Sequence, residues 1–357
     1  MPPNPRSPMP KIALEEAISW PQQFEQEIVK LPIEEVLNEL NGRLTDITGG
    51  QREKEMRENN IIMQIISPTA PGLQRFHGKT KKSQIKQAQF VNNYMAKKIK
   101  GRAHFAAFAT LPMRDPQAAC VELERCVKDL HMVGALVNGN DFYNGRVLFY
   151  DTPEYDPLWA KFVELDVPLY LHPLVYGAVD GTPDNHLSNF FDEYPFLAGS
   201  AWGFSMYTAQ HVMKLIVSGV FDRHKKLKLI LGHMGEILPW WAERFDHRLR
   251  KYKSDTAAYA ALNKGGRPSP KIKPLPLPQR LLVDYLRTNI WVTTSGWFSD
   301  AALAYVVSVM GVDRVMFSVD YPFEDQYAAS EWLEKVPMPE RDKKKIAYKN
   351  AMKLLRL

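Results

Sequence analysis

Three side chains able to bind a metal or move a proton stand where three apolar, strand-like runs end. They are Glu15 after Lys11-Ile12-Ala13-Leu14, His172 after Val167-Pro168-Leu169-Tyr170-Leu171, and Asp320 after Val315-Met316-Phe317-Ser318-Val319. A polar group at the end of a buried strand costs free energy unless it binds something. Singly, each has a plain reading: Glu15 as an ion-pair partner, His172 as a hydrogen-bonded structural histidine, Asp320 as a cap on the following loop. At matching depth on three strands they read instead as one site for a divalent cation, with positions left open for water or substrate. Two carboxylates and an imidazole suit Mn²⁺, Mg²⁺ or Zn²⁺.

A second pair lies close by in the same pattern. His233 follows another apolar run, within Leu231-Gly232-His233-Met234-Gly235-Glu236. The two glycines permit close backbone approach and tight turning. Glu236, three residues on, is placed to orient His233 and raise its basicity. The spacing suggests a relay in which Glu236 holds His233 and His233 faces Asp320. The alternative is a structural role for the Gly-His-Met-Gly segment alone.

Such side chains need a frame that brings distant strand ends together. Apolar runs recur near 11–16, 61–67, 104–109, 132–137, 167–171, 228–232, 289–294 and 314–319, most of them separated by helical patterns. Eight is the number that closes a (β/α)8 TIM barrel, and continuous rather than alternating runs fit parallel strands covered on both faces. In that fold chemistry gathers at the C-terminal strand ends. Asp115-Pro116 predicts a capped helix start, Ser299 another, and helices are expected over 205–221 and 339–355. Residues 11–357 read as a single domain behind a proline-rich, flexible tail, 1–10. Between the sixth and seventh strands, 254–280 carries Gly265-Gly266 and five prolines from Pro268 to Pro278. It is expected to be an inserted, extended surface loop.

Composition narrows the function classes. The net charge of +6 over 357 residues is modest. The lysines between Lys79 and Lys100 interleave with Ile85, Phe90, Val91, Tyr94 and Met95, as on a solvated helix face, and no nucleic-acid motif accompanies them. Cys120 and Cys126, the only cysteines, form neither a CxxC motif nor a disulfide framework, which fits a reducing compartment. No apolar run is long enough to span a bilayer. A cytoplasmic protein without nucleic-acid or membrane partners is expected.

Seven segments, in order, resemble the metal-dependent decarboxylase branch of the amidohydrolase superfamily, and within it the ortho-hydroxybenzoate decarboxylases. They are Lys11-Ile12-Ala13-Leu14-Glu15-Glu16, Gly134-Ala135-Leu136-Val137-Asn138, Val167 to Pro173, Gly219-Val220-Phe221-Asp222-Arg223, Leu231 to Glu236, Thr293-Thr294-Ser295-Gly296, and Phe317 to Pro322. The resemblance runs from about Lys11 to the C-terminus. It implies one divalent ion (Mn²⁺, Mg²⁺ or Zn²⁺) held by Glu15, His172 and Asp320. Many relatives carry a further histidine two residues after the first glutamate; here that position is Ala17. Its loss favours a harder ion and argues against the hydrolases, which usually have a His-x-His pair on the first strand.

The implied reaction is non-oxidative decarboxylation of an ortho-hydroxylated aromatic acid. Asp320 protonates the ring carbon that bears the carboxylate, CO₂ leaves, and the ion acts as Lewis acid towards the phenolic oxygen. His233 and Glu236 set the protonation of Asp320. Arg244 is a candidate for holding the substrate anion, with a surface ion pair as the alternative. Ser67 stands at a strand end, and Trp202, Trp297 and Phe323 are candidate substrate walls. Relatives imply a homodimer or homotetramer. The alternative within the enzymes is metal-dependent hydrolysis of a lactone or cyclic amide on the same barrel. A barrel that binds small aromatics without catalysis has no need of the His233–Glu236 pair.

Overall fold

Two parallel sheets share one barrel wall. In the computed structural model, which describes residues 8–20, 34–75, 80–174, 193–255 and 277–357, β1 (Lys11–Ile18), β2 (Ile61–Pro68) and β3 (Phe105–Ala107) form a three-stranded group. A five-stranded group runs β10 (Val315–Met316), β9 (Ile290–Thr293), β8 (Leu229–Leu231), β7 (Leu169–His172), β4 (Ala135–Asn138). Two parallel bridges, Ala109 with Ala135 and Glu16 with Tyr321, join the groups on both sides. The eight parallel strands thereby close on themselves, as the sequence predicts. The tail residues 1–7 and residues 256–276 of the proline-rich stretch lie outside the described residues.

The last strand is shorter than the expected 314–319, for a physical reason. Beyond Met316, side-chain oxygens take the place of strand carbonyls. Ser318 N–H donates to Thr294 Oγ1 (3.0 Å) and Val319 N–H donates to Glu16 Oε1 (3.1 Å). The C-terminal helix contributes too. Its π-turn at Lys345–Lys349 leaves the Ile346 carbonyl free to accept from Phe317 N–H at 2.8 Å.

Strand geometry decides which side chains point inward. Ile12, Leu14, Ile65, Phe108, Leu136, Tyr170, Ile230 and Met316 form one buried cluster, closed off by Ala351, Leu354 and Leu355 of the C-terminal helix. By simple alternation Glu15 would then face outward, away from Ile12 and Leu14. The β1–β2 register slips between Ala13 and Glu16, however. Leu14 N–H and Glu15 N–H both donate to Ser318 Oγ, at 3.2 and 2.6 Å. This bulge turns Glu15 inward beside Leu14 and sends Glu16 to the opposite side, against Gln64 of β2.

One pair of strands falls outside the sequence reading. An antiparallel hairpin, β5 (Asp141–Tyr143) and β6 (Arg146–Leu148), follows β4. Its turn is Asn144-Gly145, with φ of 51° and 71°, the signature of a two-residue hairpin.

Candidate active site

Glu15 is buried at the barrel mouth, and its two carboxylate oxygens have different surroundings. Oε2 accepts from the hydroxyls of Tyr170 and Ser295, with Thr293 Oγ1 at 3.4 Å. Oε1 is buried and has no hydrogen-bond partner. It lies 3.2 Å from His172 Nε2 and 3.9 Å from His233 Nε2. His172 Nδ1 lies 2.7 Å from the Pro173 carbonyl oxygen, which only accepts, so Nδ1 carries the proton. His172 Nε2 then faces Glu15 Oε1, two atoms that a proton or a shared cation can join.

Asp320 completes the cluster from the other side. Metal-binding atoms of Glu15, His233 and Asp320 all lie within 4.8 Å of one another. Its backbone has φ of 79°, a left-handed conformation rare for a residue with a Cβ. Gly296 packs against it: a Cβ there would sit 3.5 Å from Asp320 Oδ2 and 3.4 Å from His233 Cδ2. Burial, followed by the neighbouring Glu15 carboxylate, pushes the Asp320 carboxyl above its ordinary range, against the opposing pull of His233.

The structure brings His233, Glu236 and Asp320 together. His233, Met234, Gly235 and Glu236 all have positive φ, so the chain after β8 makes a left-handed turn. Such strain, of order 1–3 kcal/mol for each residue with a side chain, persists only where the surroundings impose it. The turn brings His233 Nδ1 to 2.9 Å from Glu236 Oε1, while Ser205 Oγ donates to Glu236 Oε2 at 2.6 Å. The other ring nitrogen, Nε2, lies 3.6 Å from Asp320 Oδ2. Burial works against charge on His233, but Glu15, Glu236 and Asp320 together hold its pKa well above the ordinary value. Burial likewise opposes ionisation of Glu15, yet the two histidines and the Ser295 and Tyr170 hydroxyls keep its pKa below the usual one. Gly232 is required by close approach, since a Cβ there would lie 2.7 Å from Glu15 Oε2.

Both histidines turn Nε2 towards the Glu15 and Asp320 carboxyl groups, His233 held from behind by Glu236 and His172 by the Pro173 carbonyl. The donor set of two carboxylates and one imidazole fits a divalent cation with open coordination positions.

The remaining predicted residues are more dispersed. Ser67 is buried on β2, its Cα paired with Ala17. Phe323 is half-exposed, its N–H donating to the Asp320 carbonyl at 2.9 Å. Trp297 stacks on Trp240 with ring centroids 5.1 Å apart, and Trp240 in turn stacks on Tyr305. Trp202 is half-exposed just before the helix Gly203–Val217. Arg244 is exposed on the helix Leu238–Ser254. His211 packs in the core against Phe149 and Tyr150, its pKa pushed down to about 3 by burial. Tyr170, which in the sequence is one residue of an apolar run, and Ser205 on the helix after Trp202 also reach the site. Tyr170 sits two residues before His172 on the same strand, so the period of two places both on one face.

The amidohydrolase family profile matches residues 32–357. The chain is also 38% identical to the γ-resorcylate decarboxylase of Rhizobium radiobacter, over 97% of its own length and 98% of the relative's. The chain belongs to the amidohydrolase family. Two solved structures extend the likeness to the whole fold. One is a 2,6-dihydroxybenzoate decarboxylase complexed with 2,6-dihydroxybenzoate: 36% identity, TM-score 0.83, coverage of 98% of this chain and 99% of the other. The second, a dihydroxybenzoic acid decarboxylase from Polaromonas sp. JS666, carries manganese and the inhibitor 2-nitroresorcinol; it is 37% identical, with TM-score 0.83 and coverage of 98% and 97%. Among the described residues of this amidohydrolase, no helix is long and apolar enough to cross a membrane.

Proposed function

We propose that this amidohydrolase is a carboxy-lyase: a metal-dependent, non-oxidative decarboxylase of an ortho-hydroxylated aromatic carboxylic acid. The observation that carries the reading is the line Glu236–His233–Asp320, which ends beside the partnerless Glu15 Oε1. A proton path that meets a cation site is what protonation-driven loss of CO₂ requires.

Glu15, His172 and Asp320 hold one divalent ion, with Mn²⁺ favoured over Mg²⁺ and Zn²⁺ by the oxygen-rich set and by the manganese in the Polaromonas relative. When bound, the ion supplies a Lewis acid that draws electron density from the substrate's carboxylate and ortho hydroxyl. Asp320, whose carboxyl burial pushes towards the protonated form, gives a proton to the ring carbon bearing the carboxylate. The bond to the carboxylate then breaks, CO₂ departs, and the bonding pair restores the aromatic ring. His233 returns a proton to Asp320 through Nε2, and Glu236 and Ser205 hold the ring in line for that step. Phe323, Trp202 and Trp297 wall the ring, Ser67 lies at the mouth, and Arg244 is assigned to the substrate anion. Ala17 leaves the first strand without the histidine pair of the hydrolases. We assign the enzyme to the cytoplasm as a homodimer or homotetramer; the free, buried Cys120 and Cys126 and the exposed Phe196 and Trp241 support that assignment.

The test is CO₂ release from Mn²⁺-loaded protein offered 2,6-dihydroxybenzoate, 2,3-dihydroxybenzoate, salicylate, orsellinate and, as control, 4-hydroxybenzoate. Turnover of at least one ortho-hydroxy acid and none of the para isomer is expected. Lactone hydrolysis without any CO₂ release would replace this reading with the hydrolase one.

A further inference from the structure

We infer that Glu16 and Ser318, outside the catalytic cluster, form a positioning lock that fixes the two carboxylates of the cation site. The inference rests on Glu15 and Asp320 being the ion's carboxylate ligands.

Glu15 reaches the barrel interior only because β1 bulges there. At the bulge two consecutive amides, Leu14 N–H and Glu15 N–H, both donate to Ser318 Oγ. Buried amides left unpaired cost about 1–3 kcal/mol each, so this hydroxyl selects the bulged register. Ser318 has one proton to donate, and it goes to Glu16 Oε1 at 3.0 Å. The same oxygen accepts Val319 N–H at 3.1 Å. Val319 immediately precedes Asp320, whose left-handed backbone must be imposed from outside. One carboxylate oxygen therefore grips both the hydroxyl that shapes the Glu15 bulge and the turn that presents Asp320.

Glu16 is itself held from behind. It is fully buried, and its Oε2 accepts from Gln64 Nε2 at 3.1 Å. Gln64 Oε1 accepts from Arg52 Nη1 at 3.1 Å. Arg52, also buried, donates to the Ala17 carbonyl at 2.6 Å and lies 4.3 Å over the Tyr321 ring. The network spans the seam between β1 and the residues after β10, where the barrel closes through a single bridge. Supporting residues of this kind typically alter metal affinity by about 10–100-fold when removed.

The experiment measures Mn²⁺ binding by titration calorimetry, on the full chain, for wild type, Ser318→Ala, Glu16→Ala and Glu16→Gln. Both alanine variants are expected to bind Mn²⁺ about 10–100-fold more weakly. At saturating Mn²⁺ they should lose kcat with KM changed less than about 3-fold. Glu16→Gln keeps an oxygen for Ser318 and Val319 and should recover most of the affinity, a rescue that a loss of general stability does not give. Should Glu16→Ala fail to fold, Ser318→Ala and Glu16→Gln decide the matter. Wild-type Mn²⁺ affinity in Ser318→Ala, or no difference between Glu16→Gln and Ser318→Ala, overturns the lock. Absence of Mn²⁺ binding by wild type is a different failure, that of the cation site itself.

Discussion

Asp320→Asn abolishes CO₂ release, lowering kcat by at least about 10³-fold, while the barrel remains folded. The substitution keeps the shape of the side chain and removes its acidic proton. It also replaces one anionic ligand by a neutral amide, so Mn²⁺ binds more weakly as well. The fold is expected to survive because the strained backbone at Asp320 is held by main-chain groups that asparagine retains. Its carbonyl accepts from Phe323 N–H at 2.9 Å and Glu324 N–H at 3.2 Å, and the flanking Val319 carbonyl accepts from Gly296 N–H at 3.2 Å. Asparagine also tolerates the left-handed region better than most residues. Circular dichroism and thermal melting check the fold, and CO₂ release checks the chemistry. A folded Asp320→Asn enzyme with kcat near wild type would refute the assignment of the proton donor.

His233→Asn separates the proton path from the metal site. Removing the imidazole cuts the link between Glu236 and Asp320, and a loss of about 10²–10⁴-fold in kcat is expected for a lost acid–base group. Mn²⁺ stoichiometry should stay at wild-type level, because the proposed ligands Glu15, His172 and Asp320 are untouched. Asp320→Asn loses activity and metal affinity together; His233→Asn loses activity alone. If His233→Asn is instead isolated without metal, then His233 is a ligand and the division of roles between the two histidines is wrong. The donor atoms of His233, Glu15 and Asp320 all lie within 4.8 Å of one another, so this variant tests the assignment directly.

Much of this architecture is legible in the sequence because buried parallel strands read as continuous apolar runs and barrel chemistry sits at their ends. That rule picks out Glu15, His172, His233 and Asp320, which the structure brings together, and the three-residue spacing places Glu236 beside His233. What the rule misses are departures from regular periodicity. Alternation from Ile12 and Leu14 would turn Glu15 away from the interior; only the bulge filled by Ser318 Oγ places it correctly, and Ser318 is more than 300 residues distant in sequence. The left-handed turn at His233–Glu236 is hinted at by its two glycines but includes three residues with side chains. Tyr170 reads in sequence as an ordinary strand tyrosine and Ser295 as one strand-end residue among several; their hydroxyls matter because β1 delivers Glu15 between them. Trp297, read as a substrate wall, is also one layer of an aromatic stack with Trp240 and Tyr305, a pairing that no local pattern encodes.

Loss of CO₂ from an ortho-hydroxybenzoate is proposed to need one divalent ion at the Glu15 site. Metal-stripped protein, titrated with Mn²⁺ while CO₂ release from 2,6-dihydroxybenzoate is followed, tests it most directly. The expected result is no release from the stripped enzyme and a linear return of activity that saturates at one Mn²⁺ per chain. Undiminished CO₂ release from protein shown by elemental analysis to be free of metal would contradict it.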